Sequence, residues 1–198
     1  MQFSSPEMEN LTPPEAGEKR SGSWLKSVGE IFQTLLLAFV LYFAIDAVVA
    51  RVRVENISMQ PTLKPGEFVL VHKLAYRFGD IQRGDIVVFH YSPQEDYIKR
   101  VIGLPGDSIE IADGLVKVNG YALKEPYINA PPMYNGSWQV PEGKVFVLGD
   151  NRNQSSDSHT WGFVPVENIV GKVFVVYWPL EEMKVLTTQI TVIAKNQP

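Results

Sequence analysis

The apolar pattern changes character twice along the chain. Residues 1–27 are rich in Pro, Ser, Gly and Glu and show no apolar periodicity, which predicts a disordered tail. The next segment, IFQTLLLAFVLYFAIDAVVA (Ile31–Ala50), is apolar nearly throughout. At 1.5 Å rise, its roughly 20 residues match a bilayer core of about 30 Å. Gln33, Thr34 and Asp46 sit near its ends, where polar groups reach the interface. The pattern predicts a transmembrane helix over residues 28–50. A buried globular helix and a cleaved signal peptide compete with this reading. The long leading tail, and an apolar core longer than the usual ~7–15 residues of a signal peptide, favour an uncleaved anchor. Lys19, Arg20 and Lys26 precede the span and Arg51, Arg53 and Lys64 follow it, so the basic count does not decide its orientation.

Beyond Arg51 the period shortens to that of strands. RVRVENI, EFVLVHK, DIVVFHY, YIKRVIGL, SIEIADGLVKVNG, KVFVLGD and IVGKVFVVYW are short and β-branched, with Pro, Gly, Asn and Asp between them. Alternation on both sides of Asp113-Gly114 predicts a hairpin. NAPPMYNGSWQVPEG (Asn129–Gly143) reads as a loop, because its prolines and glycines exclude a central strand. TTQITVIAKNQP is either a last strand or a loose end. No long helical period follows the apolar span and no internal repeat is present. The expected fold class is mainly β, an antiparallel barrel-like domain over residues 51–198 with one N-terminal transmembrane helix. A smaller hairpin and loop insertion is expected at about 106–143. Since Arg51 to Ser58 is a short reach at about 3.3 Å per residue, Ser58 is expected within a few tens of ångströms of the bilayer.

Bulk composition narrows the chemistry. The chain has 198 residues, 45% hydrophobic and 20% charged, with a net charge of −4. No basic surface is evident, so nucleic-acid binding is not expected. The absence of cysteine removes disulfides, thiolate metal sites and cysteine catalysis together.

Ser58 stands in VENISMQPTL, between a strand-like run and a Met-x-Pro turn. It is either a turn residue or a nucleophile, and a nucleophilic serine needs a base. His72 and His90 lie in strand-like runs, and His159 in a polar segment is the better histidine candidate. No Gly-x-Ser-x-Gly elbow supports a Ser-His-Asp triad. The other option is Lys99 in DYIKRVIGLPGD. An ordinary lysine is neutral at pH 7 in only about one molecule in two thousand. Burial among apolar neighbours such as Tyr97, Ile98, Val101 and Ile102 lowers that cost; a strand lysine pointing at water is the competing reading.

Four boxes occur in order behind the apolar span: SMQPTL (Ser58–Leu63), RGDIVVF (Arg83–Phe89), KRVIGLPGD (Lys99–Asp107) and GDNRNQSSDSHTWGFVP (Gly149–Pro165). Together they resemble type I signal peptidase, a membrane-anchored serine endopeptidase with a Ser-Lys dyad on an all-β domain. The resemblance implies Ser58 as nucleophile and Lys99 as general base. It implies Ser155, with Ser156 adjoining, as the serine that orients the lysine. Asp150, Arg152 and Asp157 fall on charged positions that order the loop behind the site, and Arg100 is placed to pair with Asp150. Val52, Val54, Met59, Leu63, Tyr97 and Ile98 match positions lining shallow apolar pockets.

Two positions depart from the pattern. Asn56 stands where the family often has Ser, two places before the nucleophile, and an amide N–H there can serve an oxyanion. His159 stands where the box usually has Arg, which makes local stability at Asp157 open to pH. The resemblance implies removal of N-terminal signal peptides after Ala-x-Ala-like sites, through an acyl-enzyme. It implies preprotein signal peptides, the lipid bilayer and the protein-export machinery as partners, and no metal or organic cofactor. The catalytic domain is then expected on the extracytoplasmic side of a plasma (inner) membrane, with a thylakoid membrane as the alternative. Two rivals remain. A Ser-Lys autoprotease of the SOS-repressor type would carry a DNA-binding domain in place of the apolar span. A tethered, non-catalytic β-domain explains the anchor but not four ordered boxes.

Overall fold

The computed structural model describes residues 23–187 and 190–192. The tail expected over residues 1–27 lies outside them except for its last residues, as does most of the C-terminal run. The first helix, α1 (Ser23–Val48), starts earlier and stops earlier than the span expected over residues 28–50. Within it, Lys26–Val48 has a mean hydropathy of 2.1, and the side chains of residues 26–47 are exposed. A helix of this length and composition fits a membrane anchor, since lipid is the solvent that suits an apolar surface on every face. It ends where β-branched residues begin to pair: Val49 and Ala50 belong to β1 (Val49–Arg53), opposite His72 and Val71. Its last carbonyls are satisfied by the sheet, as Lys73 N donates to Val48 O at 2.9 Å and Lys73 Nζ to Asp46 O at 2.6 Å.

The β-domain holds two antiparallel sheets. The larger runs β1, β2 (Phe68–His72), β11 (Ile169–Trp178), β3 (Ile86–Ser92), β4 (Glu95–Gly103), β9 (Lys144–Leu148) and β10 (Val164–Pro165). A short β12 (Lys184–Val185) pairs with β11. The smaller runs β13 (Thr191–Val192), β7 (Tyr121–Lys124), β6 (Leu115–Val118), β5 (Ser108–Ala112) and β8 (Gly136–Gln139). Four of its strands, β5 to β8, lie in the stretch expected to hold an insertion; β13 joins them from the C-terminal end of the chain.

Local sequence explains the turns. The β5–β6 hairpin closes on Asp113 and Gly114 at φ 52° and 75°, and β6–β7 closes on Asn119 and Gly120 at φ 53° and 83°. Both are two-residue turns that need the left-handed region at each centre, which Asp-Gly and Asn-Gly supply at low cost. The stretch read as a loop over Asn129–Gly143 contains β8, a strand sequence reading missed. Its place at an edge, paired only with β5, is the one its flanking prolines and glycines permit.

Burial follows period. Strand β5 alternates exposed and buried residues, with Ile109 and Ile111 inward, as a one-sided sheet requires. Residues 86–89 of β3 and 99–103 of β4 are buried on both faces. One core cluster joins Val54, Met59 and Leu63 to Val69, Val71, Ile86, Val88, Val173 and Val176. A second joins the smaller sheet to Ile102, Phe146 and Leu148. Strand β11 is the seam between β1–β2 on one side and β3–β4 on the other. Gly171 allows that seam to close: a Cβ there would lie 2.4 Å from the His72 carbonyl oxygen and 3.0 Å from Lys73 Cα, both backbone.

Substituting Gly171→Ala is therefore expected to destabilise the β-domain by about 1–3 kcal/mol through overpacking against immovable backbone. The measurement is urea unfolding followed by tryptophan fluorescence, with a lower midpoint at unchanged slope. A midpoint equal to that of the parent protein would show the seam has slack.

Candidate active site

Ser58 sits in a single 3-10 turn, Ile57–Met59, immediately past β1. The chain is still in sheet-like register there, with Val54 N donating to Glu67 O and Gly66 N to Val54 O, both at 2.8 Å. Met59 and Leu63 are buried and joined by Leu63 N→Met59 O at 2.8 Å, so the turn is pinned from below by its own apolar residues. From the other side, Asn151 N donates to Ser58 O at 3.0 Å and Asn151 Nδ2 to Ile57 O at 3.3 Å. The nucleophile candidate is thus held by core packing and by the GDNRNQ loop together.

Lys99 comes from β4, opposite Val87 on β3. Its side chain is buried, with 4% of the residue exposed, and Nζ donates to Ser58 Oγ at 2.9 Å. Burial lowers its pKa to about 8, opposed by Asp157 first and Asp150 second. At that value about one molecule in ten carries a neutral amine at pH 7, hundreds of times more than for a solvated lysine. The ring of Tyr97 lies 5.2 Å from Nζ and shields it on one side.

Arg100 points to the opposite face of the strand, as alternation demands. Its guanidinium grips Asp150 with two bonds, Nε to Oδ1 at 2.8 Å and Nη2 to Oδ2 at 2.7 Å. Nη1 donates to Gly84 O at 2.9 Å, and Thr62 Oγ1 also donates to Asp150. Arg152 is buried and makes a second bidentate pair with Glu125, at 2.8 and 2.6 Å, while Nε donates to Gly149 O at 3.1 Å. Tyr127 lies between the two cations, its ring 3.9 Å from Arg100 Cζ and 5.8 Å from Arg152 Cζ. Asp157 accepts from Gly149 N at 2.9 Å and lies 2.6 Å from His159 Nδ1.

A cleft of about 400 Å³ opens beside the pair. Of the residues expected to line it, Val52, Val54, Met59, Tyr97 and Ile98 do, with Asn56, Ser58 and Lys99. Leu63 does not: it is fully buried in the core, packed in the same cluster as Met59, which is equally buried but also borders the cleft. Asn56 is exposed on the cleft wall. Ser155 is part-buried; its Oγ is fully enclosed and makes no hydrogen bond among the described residues, whereas its neighbour Ser156 lines the cleft. His72 and His90 are exposed, and His90 pairs with Asp96 at 2.6 Å.

Three contributors were not singled out in the sequence. Glu125 and Tyr127 follow β7 and no pattern marks them. Gly149 carries a signal only in its neighbours, since it adjoins Asp150. A Cβ on Gly149 would lie 2.2 Å from Ser155 Oγ and 2.5 Å from Ser58 O, so the close approach of these two segments requires glycine.

Residues 24–178 match the family model described as "Signal peptidase, peptidase S26". The chain is 41% identical over 191 residues to the probable signal peptidase I-2 of Synechocystis sp., covering 90% of this chain and 86% of that protein. It is 40% identical over 196 residues to signal peptidase I of Leptolyngbya laminosa, covering 90% and 95%. It is 42% identical over 180 residues to signal peptidase I of Bacillus caldolyticus, covering 83% and 94%.

Gly149→Ala tests whether the approach of the loop to Ser58 matters. The added methyl must push Ser155 and the Ser58 carbonyl apart, and a displacement near 1 Å at reacting atoms costs on the order of 100-fold in rate. The expected result is a folded protein, by circular dichroism, with peptide cleavage reduced by that order. Unchanged cleavage would separate this contact from activity.

Proposed function

The chain belongs to the signal peptidase, peptidase S26, family, and on that premise we propose that it removes signal peptides from exported preproteins with a Ser58–Lys99 dyad. The observation that carries this reading is the buried Lys99 amine, 2.9 Å from Ser58 Oγ and lowered to a pKa of about 8 by desolvation. Among the described residues, the Lys99 side chain is hydrogen-bonded to Ser58 Oγ.

In the proposed reaction the neutral Lys99 amine takes the Ser58 hydroxyl proton as Oγ bonds to the scissile carbonyl carbon. The negative charge on the carbonyl oxygen is met by the Ser58 backbone N–H and the Asn56 side-chain N–H. As the C–N bond breaks, the Lys99 ammonium passes its proton to the leaving amine, and the acyl group stays on Ser58 as an ester. The amine, neutral again, takes a proton from water as that water attacks the ester. It then returns the proton to Ser58 Oγ when the acid product leaves. Ser155, whose enclosed Oγ has no hydrogen-bond partner among the described residues and so has its acceptor capacity unused, is assigned to orienting the ammonium. Asp150, Arg100, Arg152 and Asp157 keep the surrounding loop in place.

The sheet edges supply a binding mode. Strand β9 pairs with β4 only from Arg100 onward, so residues 95–99 pair with β3 alone, and β1 pairs with β2 alone. Both edges border the cleft through Val52–Val54 and Asp96–Lys99. An extended preprotein segment laid there gains main-chain hydrogen bonds, with alternate side chains facing the cleft floor. Val52, Val54, Met59 and Ile98 leave shallow apolar hollows, which favour alanine at the scissile residue and two places before it. Such segments emerge on the far side of a membrane. The reading therefore places α1 as a single-pass anchor, residues 1–27 on the cytosolic side, and the β-domain outside, where the export machinery delivers substrate. The plasma (inner) membrane is the proposed site.

Ser58→Ala and Lys99→Ala, tested separately in the full chain on a preprotein, are each expected to lower cleavage by at least about 10³-fold without loss of fold. Full activity in both folded variants would sink the dyad. Because the active form is the neutral amine, kcat/KM is expected to rise with pH and level off above a midpoint near 8. A flat profile between pH 6 and 9, or a midpoint near 10.5, would argue against Lys99 as the base.

A further inference from the structure

Asp157 stands at a junction between the pair and a second titratable group. Its side chain is fully buried; Oδ2 accepts from Gly149 N at 2.9 Å and Oδ1 lies 2.6 Å from His159 Nδ1 and accepts from His159 N at 3.3 Å. Gly149 packs in turn against Ser155 and the Ser58 carbonyl. Asp157 therefore reaches the backbone of Ser58 through one glycine, and it is the foremost charge acting on the Lys99 amine. Asp150, the other carboxylate acting there, has a permanent cation in Arg100. The partner of Asp157 is an imidazole, the side-chain type whose charge changes near neutrality.

The ring is held rather than loose. It stacks on Tyr134, with centroids 3.9 Å apart and planes 11° from parallel. The groups that face it are Asp157 from its own turn and Tyr134 from the segment ahead of β8, and Arg152 and Glu125 act on that phenol from beyond. The side chain keeps 19% exposure, so protons reach it from solvent.

We infer that His159 is a positioning residue for the dyad, which through Asp157 sets the charge facing the Lys99 amine and hence the pH at which the site becomes active. This rests on the reading of Lys99 as the base. A protonated imidazole neutralises Asp157, weakens the field that retains the ammonium, and lets the amine lose its proton at lower pH. A neutral imidazole leaves the carboxylate uncompensated and holds the ammonium charged. Activity in mild acid is thereby sustained by a positive charge at position 159.

The test compares log kcat/KM against pH for the parent chain, His159→Arg, His159→Gln and Lys99→Ala. Each is used full-length in detergent micelles, on a synthetic peptide carrying an Ala-x-Ala sequence. Arginine keeps the pair and the stack with a fixed charge, and glutamine keeps a donor without one. The Arg limb is expected at least about 0.5 pH unit below the Gln limb. The parent should follow Gln at the alkaline end, approach Arg in acid, and rise less steeply than either. Coincident limbs in folded variants overturn the inference. If the Gln variant does not fold, the Arg and parent curves decide: a lower, steeper Arg limb supports it and superimposed curves overturn it. A Lys99→Ala chain that cleaves with the parent limb overturns the dyad itself, a failure distinct from coincident limbs.

Discussion

Desolvation of one amine is the constraint that the rest of the domain must satisfy. Holding Lys99 at a pKa near 8 disfavours its charged form by about 3 kcal/mol relative to a solvated lysine. A free carboxylate in contact would undo this, because an opposite charge nearby stabilises the ammonium. The acids behind the site are instead committed elsewhere. Asp150 is clasped by Arg100 and Thr62, Glu125 by Arg152, and Asp157 by Gly149 N and His159. The network of charges behind the proposed dyad reads as a way of keeping carboxylates nearby without letting them claim the lysine.

The same network fastens the smaller sheet to the larger one. Glu125 and Tyr127 follow β7, and Tyr134 precedes β8, yet their partners Arg100, Arg152 and His159 belong to β4 and to the loop after β9. Asn153 adds a further pair of contacts, donating to Pro131 O at 2.9 Å and accepting from Met133 N at 2.8 Å. Removing one member of a buried pair such as Arg100–Asp150 leaves an uncompensated charge, typically at a cost of about 3–5 kcal/mol. The position of Ser58 relative to Lys99 is thus tied to the docking of a sheet that contributes nothing to the cleft itself.

Unpaired sheet edges are usually a liability that proteins shorten or cover. Here two short ones border the cleft, along β1 and the first half of β4. Under the proposed function, their placement suits a substrate that arrives as an extended chain, with the apolar residues between them limiting side-chain size. The proposed membrane anchor joins directly onto β1, so the chain passes from helix to sheet edge without a linker.

Local features were legible because they are set by neighbours in sequence. The apolar span, the period-two strands, the Asp113-Gly114 turn and the ordered boxes all follow from residues a few places apart. Even the pairing of Asp157 with His159 was open to inspection, since they are two residues apart. What the linear pattern left undetermined was every relation made by sheet topology. It did not separate Leu63, wholly in the core, from Met59, which is just as buried yet also borders the cleft. It did not show α1 yielding to β1 at Val49, because a β-branched run suits both states until a partner strand such as β2 is present. It offered no sign that Glu125 meets Arg152, or that Gly149 lies against Ser58. Above all, a lysine's pKa depends on which groups exclude water from it. For Lys99 those groups come from strands and loops distant in sequence, so only the folded domain decides that its amine can act as a base.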